Sequence, residues 1–322
     1  MRLDGCVWLM ALACSLPGCA KTPDLHVVRP AMAELQYPNR VALEPNWPGD
    51  EQQEFRGQLE KRLNEAPHKL LTVDAGSGLK LSARVVREAP VASPLMVQDR
   101  TCWDYSQKTA TSHACVFTRR TLQVKVVLSV ALRDSAGRSL LDLTLPFSAR
   151  GMSTRSVDKA VYGPGQDAPE VDPKPLYRQL FAEAAGRFAQ ALAPYVETST
   201  RTWLDCGDQS KACILGWNAL SDCKYEQAAQ NFAGASDALK GKQQQAAALW
   251  GLALTQELKG DFAAARQTLL NAQAANREEK AFQAELSNLE NEQTLRARLE
   301  AQKVDPLKAC ELLKAPPAKP SR

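Results

Sequence analysis

The chain has 322 residues, room for two domains, and its 44% hydrophobic and 24% charged residues are a globular balance. The formal charge of +4 is small for that length, and no Lys/Arg cluster rises above a few residues, so nucleic acid is not implied as a partner. The one basic pair with notable neighbours, Arg119-Arg120, begins a strand pattern and reads as a solvated edge.

Residues 1–18 read as a signal segment. Arg2 supplies a positive start, and VWLMALACSLPG is an apolar run too short to span a bilayer. It ends in Leu16-Pro17-Gly18-Cys19, which resembles a bacterial lipobox, Pro17 being the unusual member. That resemblance implies lipidation of Cys19, palmitate included, and Ala20 and Lys21 after it imply the outer membrane, facing the periplasm. An ordinary cleaved secretory signal is the alternative, and Cys14 after Ala13 is a second lipidation candidate. Several acyl chains anchor firmly where one binds only marginally.

Nine cysteines are present. Cys6 and Cys14 leave with the signal and Cys19 takes lipid, which leaves Cys102, Cys115, Cys206, Cys213, Cys223 and Cys310. An even number in an exported chain suggests disulfides. Cys102 and Cys115 flank a polar, turn-like stretch and are expected to close a hairpin loop. Local spacing favours Cys206–Cys213, which leaves Cys223–Cys310. A zinc site is the rival, but the 206–213–223 spacing has no C-x-x-C and no nearby histidine.

Residues 19–38 read as a tether containing a short strand, LHVVRP. NRVALEP is the next strand, and Phe55, Leu59 and Leu63 mark one face of a helix. HKLLTVD and LKLSARVVRE read as strands, with residues 89–101 as loop. Thr121–Arg133 alternates with many β-branched residues, Asp134-Ser135-Ala136-Gly137 turns, and Leu140–Ala149 returns antiparallel. Gly151–Asp172 reads as a Gly/Pro/Asp-rich excursion packed on the sheet. Pro175–Tyr195 is a helix with Leu176, Leu180, Phe181, Ala184, Phe188 and Leu192 on its apolar face. This order of elements, over residues 27–195, resembles the periplasmic domain of curli-secretion-type lipoproteins and the N-terminal domain of the Tol system's periplasmic propeller protein. The chain shows no unambiguous amphipathic membrane hairpin of the kind a curli-type pore requires.

Residues 212–276 hold two helical hairpins with one internal grammar. At a spacing of 37 residues, Leu215 matches Leu252, Gly216 matches Ala253, Tyr225 matches Phe262, Ala228 matches Ala265, Phe232 matches Leu269 and Ala235 matches Ala272. Small residues let helices approach, and the large ones fill the space between hairpins. The pattern resembles the tetratricopeptide repeat, with Cys223 standing where a glycine would. The resemblance implies protein binding. The stripe Phe282, Leu286, Leu289, Leu295 and Leu299 in Arg277–Lys303 is expected to cap the open end.

The expected fold class is an α/β domain, a mixed sheet with packed helices, followed by an all-α helical-repeat domain. The expected boundaries are 39–200 for the first, 201–313 for the second and 314–322 for a disordered tail. No H-E-x-x-H, G-x-S-x-G or P-loop occurs, and His26, His68 and His113 lie far apart. No catalytic residue, cofactor or metal ligand is therefore assigned. The expectation is a non-catalytic, periplasm-facing outer-membrane lipoprotein that holds envelope proteins in an assembly or secretion complex, its α/β domain docking or self-associating. A cell-wall-acting enzyme and a ring-forming secretion-pore subunit are the alternatives. Helical phase puts Asn218, Lys224, Gln227, Trp250, Gln256 and Arg266 on the partner-binding surface. For Trp217 and Trp250 themselves a core role is the default, and lining a peptide groove the alternative.

Overall fold

The computed structural model describes residues 24–37, 39–44, 49–65, 70–105, 110–202, 204–207 and 210–314. The expected signal segment with Cys19, most of the proline-rich tail, Trp47, His68 and Trp203 lie outside the described residues. The described chain divides into two compact units. One joins residues 24–30 to 194–314, and the other holds 31–193.

This division differs from the expected boundaries. The expected tether contains a strand, β1 (Asp24–Arg29), that pairs antiparallel with Tyr195–Thr200 near the far end of the expected α/β domain. Both strands belong to the helical unit. Pro194 follows Ala193, the C-cap of the preceding helix, and proline cannot continue a helix. The β-branched run YVETST then takes up extended pairing with β1.

The α/β unit is built on a seven-stranded mixed sheet. Its elements are β2 (Asn39–Leu43), α1 (Asp50–Glu65), β3 (Leu71–Val73), β4 (Lys80–Arg87), β5 (Val91–Ala92), β6 (Met96–Asp104), β7 (Thr111–Arg133), β8 (Ser139–Asp158) and α2 (Pro173–Leu192). β2 runs parallel to β3 and β4, while β4, β5, β6 and β8 all pair antiparallel with β7. Alternation along β7 sets the buried face: Val124, Val126, Leu128, Val130 and Leu132 are all fully buried. Phe55, Leu59 and Leu63 of α1 are equally buried. Phe55 packs edge-on against Phe188 of α2 at 5.8 Å, and Phe147 of β8 meets the same ring at 6.3 Å. α2 starts cleanly because Asp172 accepts from the Lys174 N–H and proline occupies the first turn.

Two segments expected as loops are strands. Within 89–101 lie β5 and the first half of β6, and β8 runs on through Gly151 to Asp158. β6 carries no alternating pattern because both of its faces are largely exposed; backbone pairing with β7 and the Cys102–Cys115 bond hold it. Gly151 sits mid-strand because a Cβ there would meet Val171 and Leu176. Residues 163–172 do lie on the sheet as expected: Thr118 Oγ1 accepts from the Ala168 N–H at 2.8 Å, and Arg120 Nε donates to the Ala168 carbonyl at 2.9 Å.

The helical unit contains α3 (Lys211–Ser221), α4 (Tyr225–Ala238), α5 (Lys242–Lys259), α6 (Phe262–Ala275), α7 (Lys280–Ala301), a short 3-10 turn (Pro306–Lys308) and α8 (Ala309–Lys314). Consecutive helices α3 to α7 pack against one another as hairpins. The matched positions behave alike: Ala228 and Ala265, Phe232 and Leu269, and Ala235 and Ala272 are all buried. On α5 the Phe232 ring is received at Gly251. A Cβ on either Gly216 or Gly251 would collide with that ring. Phe282, Leu289 and Leu299 of α7 are buried, and Leu286 packs against the helical core, so α7 closes the series on its apolar stripe.

The six described cysteines form three bonds, Cys102–Cys115, Cys206–Cys213 and Cys223–Cys310. The first staples β6 to β7, the second ties the segment after β9 (Tyr195–Thr200) to α3, and the third ties the α3–α4 turn to α8.

Candidate functional site

The inner side of the hairpins is occupied by the chain itself. Leu25 of β1 is buried among Trp217, Trp250 and their neighbours. The Trp250 indole N–H donates to the Thr202 carbonyl at 2.9 Å. Trp250 is only 1% exposed, so it is removed from the expected partner-binding surface: its amphipathic ring is spent on the core and on one backbone carbonyl. Gln256 is half-buried as well. Asn218, Lys224, Gln227 and Arg266 are exposed, as helical phase required. Lys224 pairs with Asp222 at 2.8 Å and Arg266 with Glu290 at 3.8 Å.

Beneath the covering segment lies a cluster that no local pattern announced. Arg201, just after β9, approaches Glu257 of α5 at 3.3 Å and Glu285 and Glu292 of α7 at 3.7 and 3.6 Å. Arg29 of β1 bridges Glu292 at 2.6 Å and Glu197 of β9 at 2.7 Å. The Asn288 amide donates to Glu285 at 3.0 Å. Beside the cluster is a cavity of about 40 Å³ whose lining includes His26, Tyr225, Glu257, Glu292 and Arg296.

The electrostatics follow from burial and crowding. Desolvation first, and then the neighbouring Glu285 carboxylate, push Glu257 up to about 8, against the opposing pull of Arg201. Burial works against the charge of Arg29, but its bonds to Glu292 and Glu197 outweigh that and raise its pKa. Burial also raises Tyr225, with Arg296 opposing. Glu257 Oε2 is buried and receives no donor. A proton on Glu257 is favoured by the Glu285 carboxylate beside it, which raises the group both by its charge and as a side-chain hydrogen-bond partner.

The Ser77 hydroxyl donates to the Arg40 carbonyl and accepts from the Leu79 N–H, which shapes a turn. His26 and His113 are on separate units. Among the described residues, no three His, Cys, Asp or Glu side chains are placed to hold a metal ion, and no helix is long and apolar enough to cross a membrane.

No protein-family model matches the chain, and no curated protein matches it. Among solved structures, a minor lipoprotein from Acinetobacter baumannii is similar over 48% of this chain and 90% of its own, at 16% identity and a TM-score of 0.19. A likeness of that size leaves the functional reading to this chain's own residues.

Proposed function

We propose that the chain is a non-catalytic lipoprotein, held in the outer membrane by acyl groups on Cys19 and facing the periplasm, whose tetratricopeptide-like hairpins hold a partner protein of the envelope. The observation that carries the reading is the shared register of the two hairpins. Small residues at 228 and 265, fillers at 232 and 269 and left-handed turn residues at 223 and 260 recur at one spacing. Helical repeats of this kind offer extended surfaces and little enclosed chemistry. Because the inner side is taken up by β1 and the segment after β9, the docking surface lies on the exposed positions Asn218, Lys224, Gln227 and Arg266. The anchor reading adds a geometric consequence. Asp24 follows Cys19 by five residues, a reach of at most about 18 Å, so the helical unit stands next to the bilayer.

Two measurements test this. Mass spectrometry of the mature N-terminus is expected to find an acylated Cys19, and an unmodified terminus elsewhere removes the anchor. Crosslinking of the tagged protein in intact cells is expected to trap an envelope protein that is lost on combining Lys224→Glu, Gln227→Glu and Arg266→Glu. The same adduct from both forms rejects this surface.

A further inference from the structure

We propose that Glu257, Glu285, Glu292 and Arg201 form a proton-linked latch that holds the β1–β9 ribbon on helices α5 and α7 and loosens when Glu257 loses its proton. The inference goes beyond the docking role and does not rest on it.

Carboxyl groups outnumber cations in the cluster. Four of them, Glu197, Glu257, Glu285 and Glu292, face two guanidinium groups, Arg29 and Arg201. Arg29 already satisfies Glu197 and Glu292. Arg201 is left to serve Glu257 and Glu285, both 6% exposed, and also reaches Glu292. One cation cannot neutralise several buried carboxylates, so the arrangement is favourable only when one of them carries a proton. Glu257 is the one with a fully buried oxygen that receives no donor, and the Glu285 carboxylate beside it favours a proton there.

The other charged and titratable groups around Glu257 do not supply the missing charge. From β1 come His26 and Arg29, from β9 Tyr195 and Glu197, and from α4 Tyr225. On α5, Lys259 is engaged by Glu226 of α4 at 2.8 Å. On α7, Arg296 is turned to Glu300 at 3.6 Å and to the carbonyls of Leu258 and Lys259. The cluster is the polar seam between strands and helices that are distant in sequence. Loss of the Glu257 proton to solvent base puts two adjacent carboxylates on one guanidinium, and separating the ribbon from the helices relieves that repulsion.

Linkage sets the direction of the pH dependence. The group's affinity for its proton is higher in the closed state than in the open state. The contribution of Glu257 to the closed state is therefore present in full below the ordinary carboxylate range. It weakens as pH rises through the interval up to about 8 and levels off beyond. Hydrogen exchange of the full chain, expressed as protection factors so that the intrinsic pH dependence is removed, reads this directly. Protection of β1 and β9 amides is expected to fall by up to about tenfold per pH unit between about pH 5 and 8. In Glu257→Gln it stays level, and β7 amides stay level in both proteins. Should the Glu257→Gln protein fail to fold, Glu285→Gln is the second variant, and its fall is expected to level off at a lower pH than in the parent. Level protection of β1 and β9 in the parent overturns the latch. So does an equal fall in Glu257→Gln, or an unshifted profile in Glu285→Gln.

Discussion

Cys223 and Gly260 occupy the same place in successive hairpins and share a left-handed backbone, with φ of 56° and 87°. Both end the first helix of a hairpin and start the turn into the second. Glycine adopts that conformation freely, whereas a side chain costs about 1–2 kcal/mol there. At Cys223 the turn is closed by the N–H groups of Cys223 and Lys224, which donate to the carbonyls of Leu220 and Ala219, and the side chain is bonded to Cys310. With Cys310→Ala in both proteins, Cys223→Gly is expected to be more stable than Cys223→Ala by about 1 kcal/mol in urea unfolding. Equal stabilities would show that the turn does not impose this conformation.

The contact between Phe232 and Gly251 sets how closely α4 and α5 approach. Gly251→Ala is expected to cost about 1–3 kcal/mol because its methyl enters the Phe232 ring. Phe232→Leu in the same chain is expected to recover part of that loss, giving a coupling in a double-mutant cycle. Additive effects would place the strain elsewhere.

The three disulfides close loops of very different length, with sequence separations of 13, 7 and 87 residues. If they act on the unfolded chain, loss of Cys223–Cys310 costs most, about 4–5 kcal/mol, and loss of Cys206–Cys213 least. Paired Cys→Ser variants compared by reversible unfolding check the order. The Cys102–Cys115 variant is expected to lose amide protection in β6, where few buried side chains hold the strand.

Arg29 and Arg138 separate buried from exposed ion pairing. The Arg29 side chain is 15% exposed, and its removal takes away the 2.6 Å partner of Glu292, leaving only Arg201 at 3.6 Å, so Arg29→Ala is expected to cost about 3 kcal/mol. Arg138, 79% exposed beside Asp134, is expected to change stability by no measurable amount when mutated to alanine. Similar losses from both variants would contradict the burial argument.

Much of the fold was legible locally. Phe55, Leu59 and Leu63 repeat at helical spacing and are buried on one helix, and the alternation after Thr121 runs inward and outward along β7. The matched small residues 228 and 265 are both buried, and the cysteine pairs follow from which positions lie close in the chain or remain once those have paired. In each case one segment's own period or spacing carries the physical constraint.

The rest was decided by segments meeting across long separations. β6 carries no apolar period because backbone pairing with β7 and the Cys102–Cys115 bond hold it, rather than buried apolar side chains. LHVVRP shows a strand but not that its partner is Tyr195–Thr200, far along the chain. Helical phase put Trp250 on a surface, and a segment 48 residues earlier covers it through Thr202. The charge cluster has the same origin: Arg29, Arg201, Glu257, Glu285 and Glu292 have no common spacing and meet only when the ribbon lies on α5 and α7. Periodicity reports which face of an element is apolar, but which distant segment fills that face depends on tertiary packing.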